Sequence, residues 1–300
     1  MSDLVTEKRA RFLRAALALI ETRKSEHTRR AYKADLERWL GFANALGVDV
    51  ECPSIEAATH FREHLLTVLS PESTHRPLAA LSFLYRRLLA AGAANSNVFH
   101  PAILAWPKVS HIGKTLAVEA AAAERMIALA ASDTDSKRGR HDVAILRLLY
   151  DTGLRRASVA GLRRAAIEHH NGRMTIRVVV KGGGEARAEL PATTATALTD
   201  WLEVAPDSPW VFPARGGGAR HPTTLNKIIA RRAEAAGCGH VHPHCFRAAF
   251  VTAAYDAGLP EYEIQRAAHH AKPETTRRYD RGARGTTVAD AVAKHREKRK

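Results

Sequence analysis

Residues 173–191 read RMTIRVVVKGGGEARAELP, and they decide the fold because here a chain of helical periodicity changes its habit. A β-branched run, three glycines and a second short alternating run predict a β-hairpin with Lys181 at its tip. Upstream, Met126, Ile127 and Ala130, then Val143, Leu146, Leu149 and Tyr150, recur at helical spacing and lead to Gly153. Between Pro101 and Lys114 the periodicity lapses around Pro107, Ser110 and Gly113, as expected of an extended connector. Before it, three more helical stripes follow one another: Phe12, Ala16 and Leu19; Tyr32, Leu36, Leu40 and Ala43; Leu78, Leu81, Tyr85 and Leu88. Breaks are expected at Gly47 to Pro53, Ser70 to Pro77 and Gly92 to Pro101. The expected fold is mainly α with a small β-hairpin, in two domains: a helical bundle over 1–107, a linker over 108–115, and a mixed α/β domain over 116–300.

A chain of 300 residues, 45% hydrophobic, can bury two cores. Its 46 Lys and Arg against 31 Asp and Glu leave a net charge of +15, which points to a polyanionic partner, nucleic acid first. No apolar run approaches the roughly 18 residues of a spanning helix, so no membrane partner is expected. The N-terminus lacks the charged and apolar regions of a secretory signal, so a cytoplasmic location is expected. Cys52, Cys238 and Cys245 have neither CxxC spacing nor enough members for two pairs, which argues against a disulfide framework or a structural zinc site; no metal is expected.

Four segments carry residue types suited to phosphate chemistry. In YDTGLRRASVAGL (150–162), Gly153 can end one helix and Arg155 open the next, a place for an anion; taken alone, a surface salt-bridge arginine is as good a reading. In HPHCFRAAFVTAAYDAG (242–258), His244 and Arg247 lie three apart and share a helix face, so a guanidinium could hold a phosphate oxygen while an imidazole moves a proton; with 16 histidines such a pair also arises by chance. In AAHHAKPETTRRYDRG (267–282), His270 precedes Tyr279 by nine residues and Arg277, Arg278 and Arg281 flank the tyrosine. A phenol with an ordinary pKa of about 10 needs such positive charge to act as a nucleophile, whereas an arbitrary tyrosine is a half-buried anchor. Lys181, before three glycines, could reach a ligand in a groove, or simply be solvated.

Taken in order, Arg155, Lys181, His244 with Arg247, His270 and Tyr279 resemble the signature of the tyrosine recombinases, the family of phage integrases and Xer enzymes. The motif match spans about residues 140–285, and SEHTRRAYKADLERWLGF (25–42) looks like that family's core-binding domain. The resemblance implies a site-specific DNA recombinase in which Arg155 and Arg247 clamp the scissile phosphate. Tyr279 attacks it, Lys181 protonates the departing 5′ oxygen, His244 assists proton transfer and His270 hydrogen-bonds the phosphate. It implies a 3′-phosphotyrosyl intermediate, no cofactor, double-stranded DNA as partner and a homotetramer in the synaptic complex. In the first domain Arg29, Arg30 and Lys33 would suit backbone contacts, or a solvated helix face.

This chain departs from the family pattern at Ser158, where an acidic residue is usual, at Ala248 for a histidine, and at His269 for a glycine; the Gly182 to Arg187 turn is one residue long of the common form. Those departures keep alive a non-catalytic DNA-binding factor on the same fold, and a type IB topoisomerase shares the chemistry. The core-binding pattern begins within the first two dozen residues, which suits a simple Xer-like enzyme without an arm-type domain, and residues 287–300 could dock on a neighbouring subunit or be a frayed basic end.

Overall fold

The computed structural model describes residues 2–109, 115–133, 136–179 and 184–280. The chain separates into two compact units, Met1–Ser110 and His111–Lys300.

Among the described residues the first unit holds four helices, α1 (Ser2–Glu21), α2 (Glu26–Ala45), α3 (Ile55–Val68) and α4 (Pro71–Ala90). A serine starts each of the last three: Ser25, Ser54 and Ser70 accept the backbone N–H of Thr28, Ala57 and Ser73, each cap contributing about 1 kcal/mol. The core is built on Trp39, whose ring meets Phe61 and Phe99 edge-on at 5.1 and 5.0 Å. Its indole N–H donates to the Tyr85 hydroxyl at 2.8 Å, which donates in turn to the Val50 carbonyl at 2.7 Å. Burial pushes the Tyr85 phenol far up, so this hydroxyl stays protonated as a donor. The break expected over Ser70 to Pro77 is only a start: Ser70 is the cap, Pro71 opens the helix, and α4 runs on through Pro77, which is buried in its second turn. So close to the start, the proline removes a single backbone bond while its ring fills the core.

The second unit packs α5 (Ala120–Ala131), α6 (Lys137–Thr152), the short α7 (Arg156–Ala160), α8 (Ala192–Val204), α9 (Thr223–Ala235), α10 (Pro243–Asp256), α11 (Glu261–Ala267) and α12 (Pro273–Arg277) with a small sheet. Its core centres on α6, where Ile145, Leu146 and Leu149 are fully enclosed. Among the described residues the sheet holds three antiparallel strands, β1 (Ile167–His170), β2 (Arg173–Val179) and β3 (Glu185–Glu189), one more than the predicted hairpin. The missed strand joins β2 through Asn171 and Gly172, both at positive φ (50° and 73°), the two-residue turn whose twist matches that of its strands. Ile176 is buried beneath the sheet and pairs with Ile167 on one side and Ala188 on the other. Lys181 at the hairpin tip and the tail 287–300 lie outside the described residues. Among the described residues, no helix is long and apolar enough to cross a membrane.

Candidate active site

Five of the six predicted site residues are described, and they come from three separate stretches of the second unit. Gly153 ends α6 in the left-handed conformation (φ 60°), and a Cβ there would lie 2.5 Å from the Phe250 ring, so both backbone and space demand glycine. Its carbonyl accepts the Arg247 guanidinium at 2.5 Å, and the Ala268 carbonyl accepts another Arg247 N–H. The next carbonyl along, that of His269, accepts two N–H groups of Arg155, both at 3.1 Å. One turn after α11 therefore holds both arginines by consecutive peptide oxygens.

Neither guanidinium makes an ion pair with a carboxylate among the described residues. Arg247 is 3% exposed. Burial and the charge of Arg155 push its pKa down to about 10, against the opposing pull of Tyr279 through charge and a side-chain hydrogen bond. Burial also lowers Arg155, with Tyr279 again opposing. One buried and one half-buried guanidinium, neither paired with a carboxylate among the described residues, make a ready receptor for an anion.

His270 is 6% exposed. Its Nδ1 lies 2.9 Å from the Thr276 hydroxyl, while its Nε2 is buried with no hydrogen-bond partner. Burial, then Arg247, Arg155 and His269, push its pKa down to about 3, so the ring is neutral. Tyr279 lies parallel to it, ring centroids 5.9 Å apart and planes 2° apart. Thr276 brackets both, its carbonyl accepting the Tyr279 N–H at 3.0 Å. His244 sits in the first turn of α10, three residues before Arg247, with its side chain open to solvent. The desolvating mass of the site, then His242, Arg156, Arg247 and Arg155, all lower its pKa.

The three departures find physical terms here. Ser158 on α7 donates from its hydroxyl to the Val179 carbonyl at 3.2 Å, tying the helix that follows Arg155 to the strand that leads toward Lys181. Ala248 is fully buried, its methyl filling the position. His269 adopts φ 50°, a conformation that favours glycine and that histidine tolerates better than most side chains. Among the described residues, no group of three or more His, Cys, Asp or Glu side chains is arranged to hold a metal ion.

In the first unit, the residues expected to contact DNA differ in their surroundings. Arg29 bonds the Arg23 carbonyl at 2.9 Å and pairs with Glu21, and Arg30 pairs with Glu26, while Lys33 is exposed. A different arginine seam runs where α2 meets α4. Arg23 lies 4.7 Å from the Phe83 ring centroid, with Arg86 and Arg87 at 6.0 Å. Farther along, the fully buried Asp35 carboxylate draws in Arg76 at 3.1 Å and Arg38 at 3.6 Å. Sequence reading missed this seam because its members converge from two helices and the α1–α2 connection, and only spacing within one helix is visible in a string.

The description "Phage integrase family" matches residues 118–284, and "Phage integrase, N-terminal SAM-like domain" matches residues 14–92. The chain belongs to the phage integrase family. Tyrosine recombinase XerD of Caulobacter vibrioides is 31% identical over 275 residues, 87% of each chain. Tyrosine recombinase XerC of Corynebacterium efficiens is 34% identical over 154 residues, with 50% of this chain covering 49% of that one. In fold, the chain resembles the XerH site-specific recombinase described as bound to a palindromic difH substrate in a post-cleavage complex (TM-score 0.70, 18% identity, 90% of this chain and 80% of that chain). The recombinase is thus of the Xer type, an enzyme that cuts and rejoins DNA, and neither a non-catalytic factor nor a topoisomerase is favoured.

Proposed function

We propose that this recombinase exchanges DNA strands at specific sites through a covalent bond from Tyr279. The observation that carries the reading is the convergence on Tyr279 of two guanidiniums that pair with no carboxylate among the described residues and one buried imidazole nitrogen without a hydrogen-bond partner there. Arg155 and Arg247 hold the non-bridging oxygens of the scissile phosphate and stabilise the charge of its transition state. With the Thr276 hydroxyl donating to Nδ1, the His270 proton sits on Nε2, which donates to a phosphate oxygen. The Tyr279 oxygen forms its bond to phosphorus as the bond to the 5′ oxygen breaks. His244 assists removal of the phenolic proton, and Lys181 supplies one to the departing oxygen. The phosphotyrosyl link conserves the diester, so a second 5′ hydroxyl reverses the step without ATP or a metal ion.

Residues 116–300 form the catalytic domain and residues 1–107 the core-binding domain, joined by 108–115, and four subunits meet in the synaptic complex. The enzyme works in the cytoplasm. In the core-binding domain the α2–α4 seam, with Arg38 and Arg76 aimed by Asp35, faces the DNA backbone in place of Arg29 and Arg30.

The test uses DNA sites recovered by affinity selection from a random library and rebuilt as nicked suicide substrates. Wild type should leave a covalent protein–DNA adduct and Tyr279→Phe none. An adduct from both proteins would displace Tyr279 as the nucleophile, and none from either, despite tight specific binding, would overturn catalysis.

A further inference from the structure

We propose that His242 is a positioning residue whose neutral imidazole caps α10 and thereby places His244, so that protonation of His242 switches DNA cleavage off toward acid pH. The inference rests on the role given to His244 above. α10 opens with Pro243, which has no N–H, so the first donor the helix must satisfy is that of His244. His242, in extended conformation at the cap position, accepts it on Nδ1 at 3.2 Å. Serine, threonine, aspartate and asparagine caps keep an acceptor at all ordinary pH values. An imidazole differs. Its Nδ1 accepts only while its lone pair is free, and a protonated ring has two donors and no acceptor. Protonation therefore replaces the cap with a donor facing a donor at the positive end of a helix.

The surroundings keep the ring in the accepting form. His240 lies on the preceding loop (ring centroids 5.8 Å), His244 on α10 (6.2 Å), and Arg156 on α7, the last anchored to Asn226 of α9 at 3.0 Å. These neighbours are imidazoles and a guanidinium, and no carboxylate pairs with His242 among the described residues. Burial, then His240 and Arg156, lower its pKa from the ordinary 6.5. Half-exposed, the ring can still exchange protons with solvent.

The consequence falls on one side of the helix's work. Arg247 is held independently by the Gly153 and Ala268 carbonyls, whereas the His244 backbone N–H is held by the His242 cap. Loss of the cap should therefore leave DNA affinity in place and slow the cleavage step. That split separates a positioning role from general destabilisation.

Single-turnover cleavage and DNA affinity are measured from pH 8 to 5 for wild type, His242→Ala and His242→Asn. The alanine variant should cleave about fivefold more slowly at pH 7.5, the factor a lost cap implies, with unchanged affinity. Asparagine, an acceptor that does not titrate, should restore the rate and carry it to lower pH than wild type. Backbone hydrogen exchange at His244 is followed in parallel. It should accelerate in wild type as pH falls, after correction for intrinsic chemistry, and not in His242→Asn. This readout stands even if Tyr279 is not the nucleophile. An asparagine variant with the wild-type acid limb, an alanine variant with the wild-type rate, or pH-independent protection of the His244 amide would overturn the proposal.

Discussion

Lowering the pH should destabilise the second unit through His270, by an amount the site itself sets. The unfolded chain takes up the imidazole proton near pH 6.5, while the folded one refuses it down to about 3, because the ring is buried beside Arg247 and Arg155. A histidine with a depressed folded pKa contributes its full stability above 6.5 and loses it as the pH falls from there through the folded value. At pH 5, about 1.5 pH units into that window, the loss from this one ring is about 2 kcal/mol. His242, His244 and His269 are shifted in the same direction and steepen the total. A His270→Gln variant isolates the single term: wild type should lose about 2 kcal/mol relative to it between pH 7 and 5, read from denaturant midpoints, and ring NMR should show His270 still neutral at pH 5. Adding a DNA oligonucleotide should raise the His270 titration, since a phosphate beside the ring favours its charged form. A wild-type to variant difference that stays flat over that range would refute the buried, neutral ring and with it the Nε2 donor offered to the phosphate.

Gly153→Ala should cost about 1–2 kcal/mol for the left-handed backbone alone and more for the 2.5 Å approach to Phe250, measured by thermal unfolding; adding Phe250→Ala should recover the steric part only, and an unchanged melting temperature in the single variant would remove Gly153 as the pivot of the clamp. Replacing Arg38 and Arg76 together with glutamine should flatten the dependence of log affinity on log salt by about one, the signature of one shared phosphate contact, whereas an unchanged slope would take the Asp35 seam off the DNA.

The helical character, the hairpin and the family were legible because they rest on local patterns: stripes at helical spacing, a glycine turn, and motif order. The first strand of the sheet was legible too, and missed. Asn171–Gly172 is a strong two-residue turn signal, but the histidines and Glu168 before it do not look like a strand, and only the pairing of Ile167 with Ile176 makes them one. The helix through Pro77 reversed the usual weight of proline for a similar reason. What matters is distance from the helix start, and Ser70 sets that start seven residues earlier.

The candidate site shows where such reading must stop. A motif names Arg155 and Arg247 but gives no hint that their guanidiniums hang from the carbonyls of Ala268 and His269, because backbone oxygens have no letter in a sequence. The same arrangement explains how this chain tolerates histidine at a position where glycine is the easier fit. What the clamp needs from residue 269 is a left-handed turn that aims its carbonyl at Arg155, and a histidine that pays the conformational cost delivers the same carbonyl. The substitution therefore leaves the carbonyl contacts of both arginines in place. By the same logic Ser158, which keeps α7 tied to β2 through the Val179 carbonyl, preserves the path from Arg155 toward the hairpin tip without a carboxylate. Departures that leave backbone geometry intact are compatible with a working enzyme, and at positions 158 and 269 the backbone contacts of the clamp and the hairpin are in place.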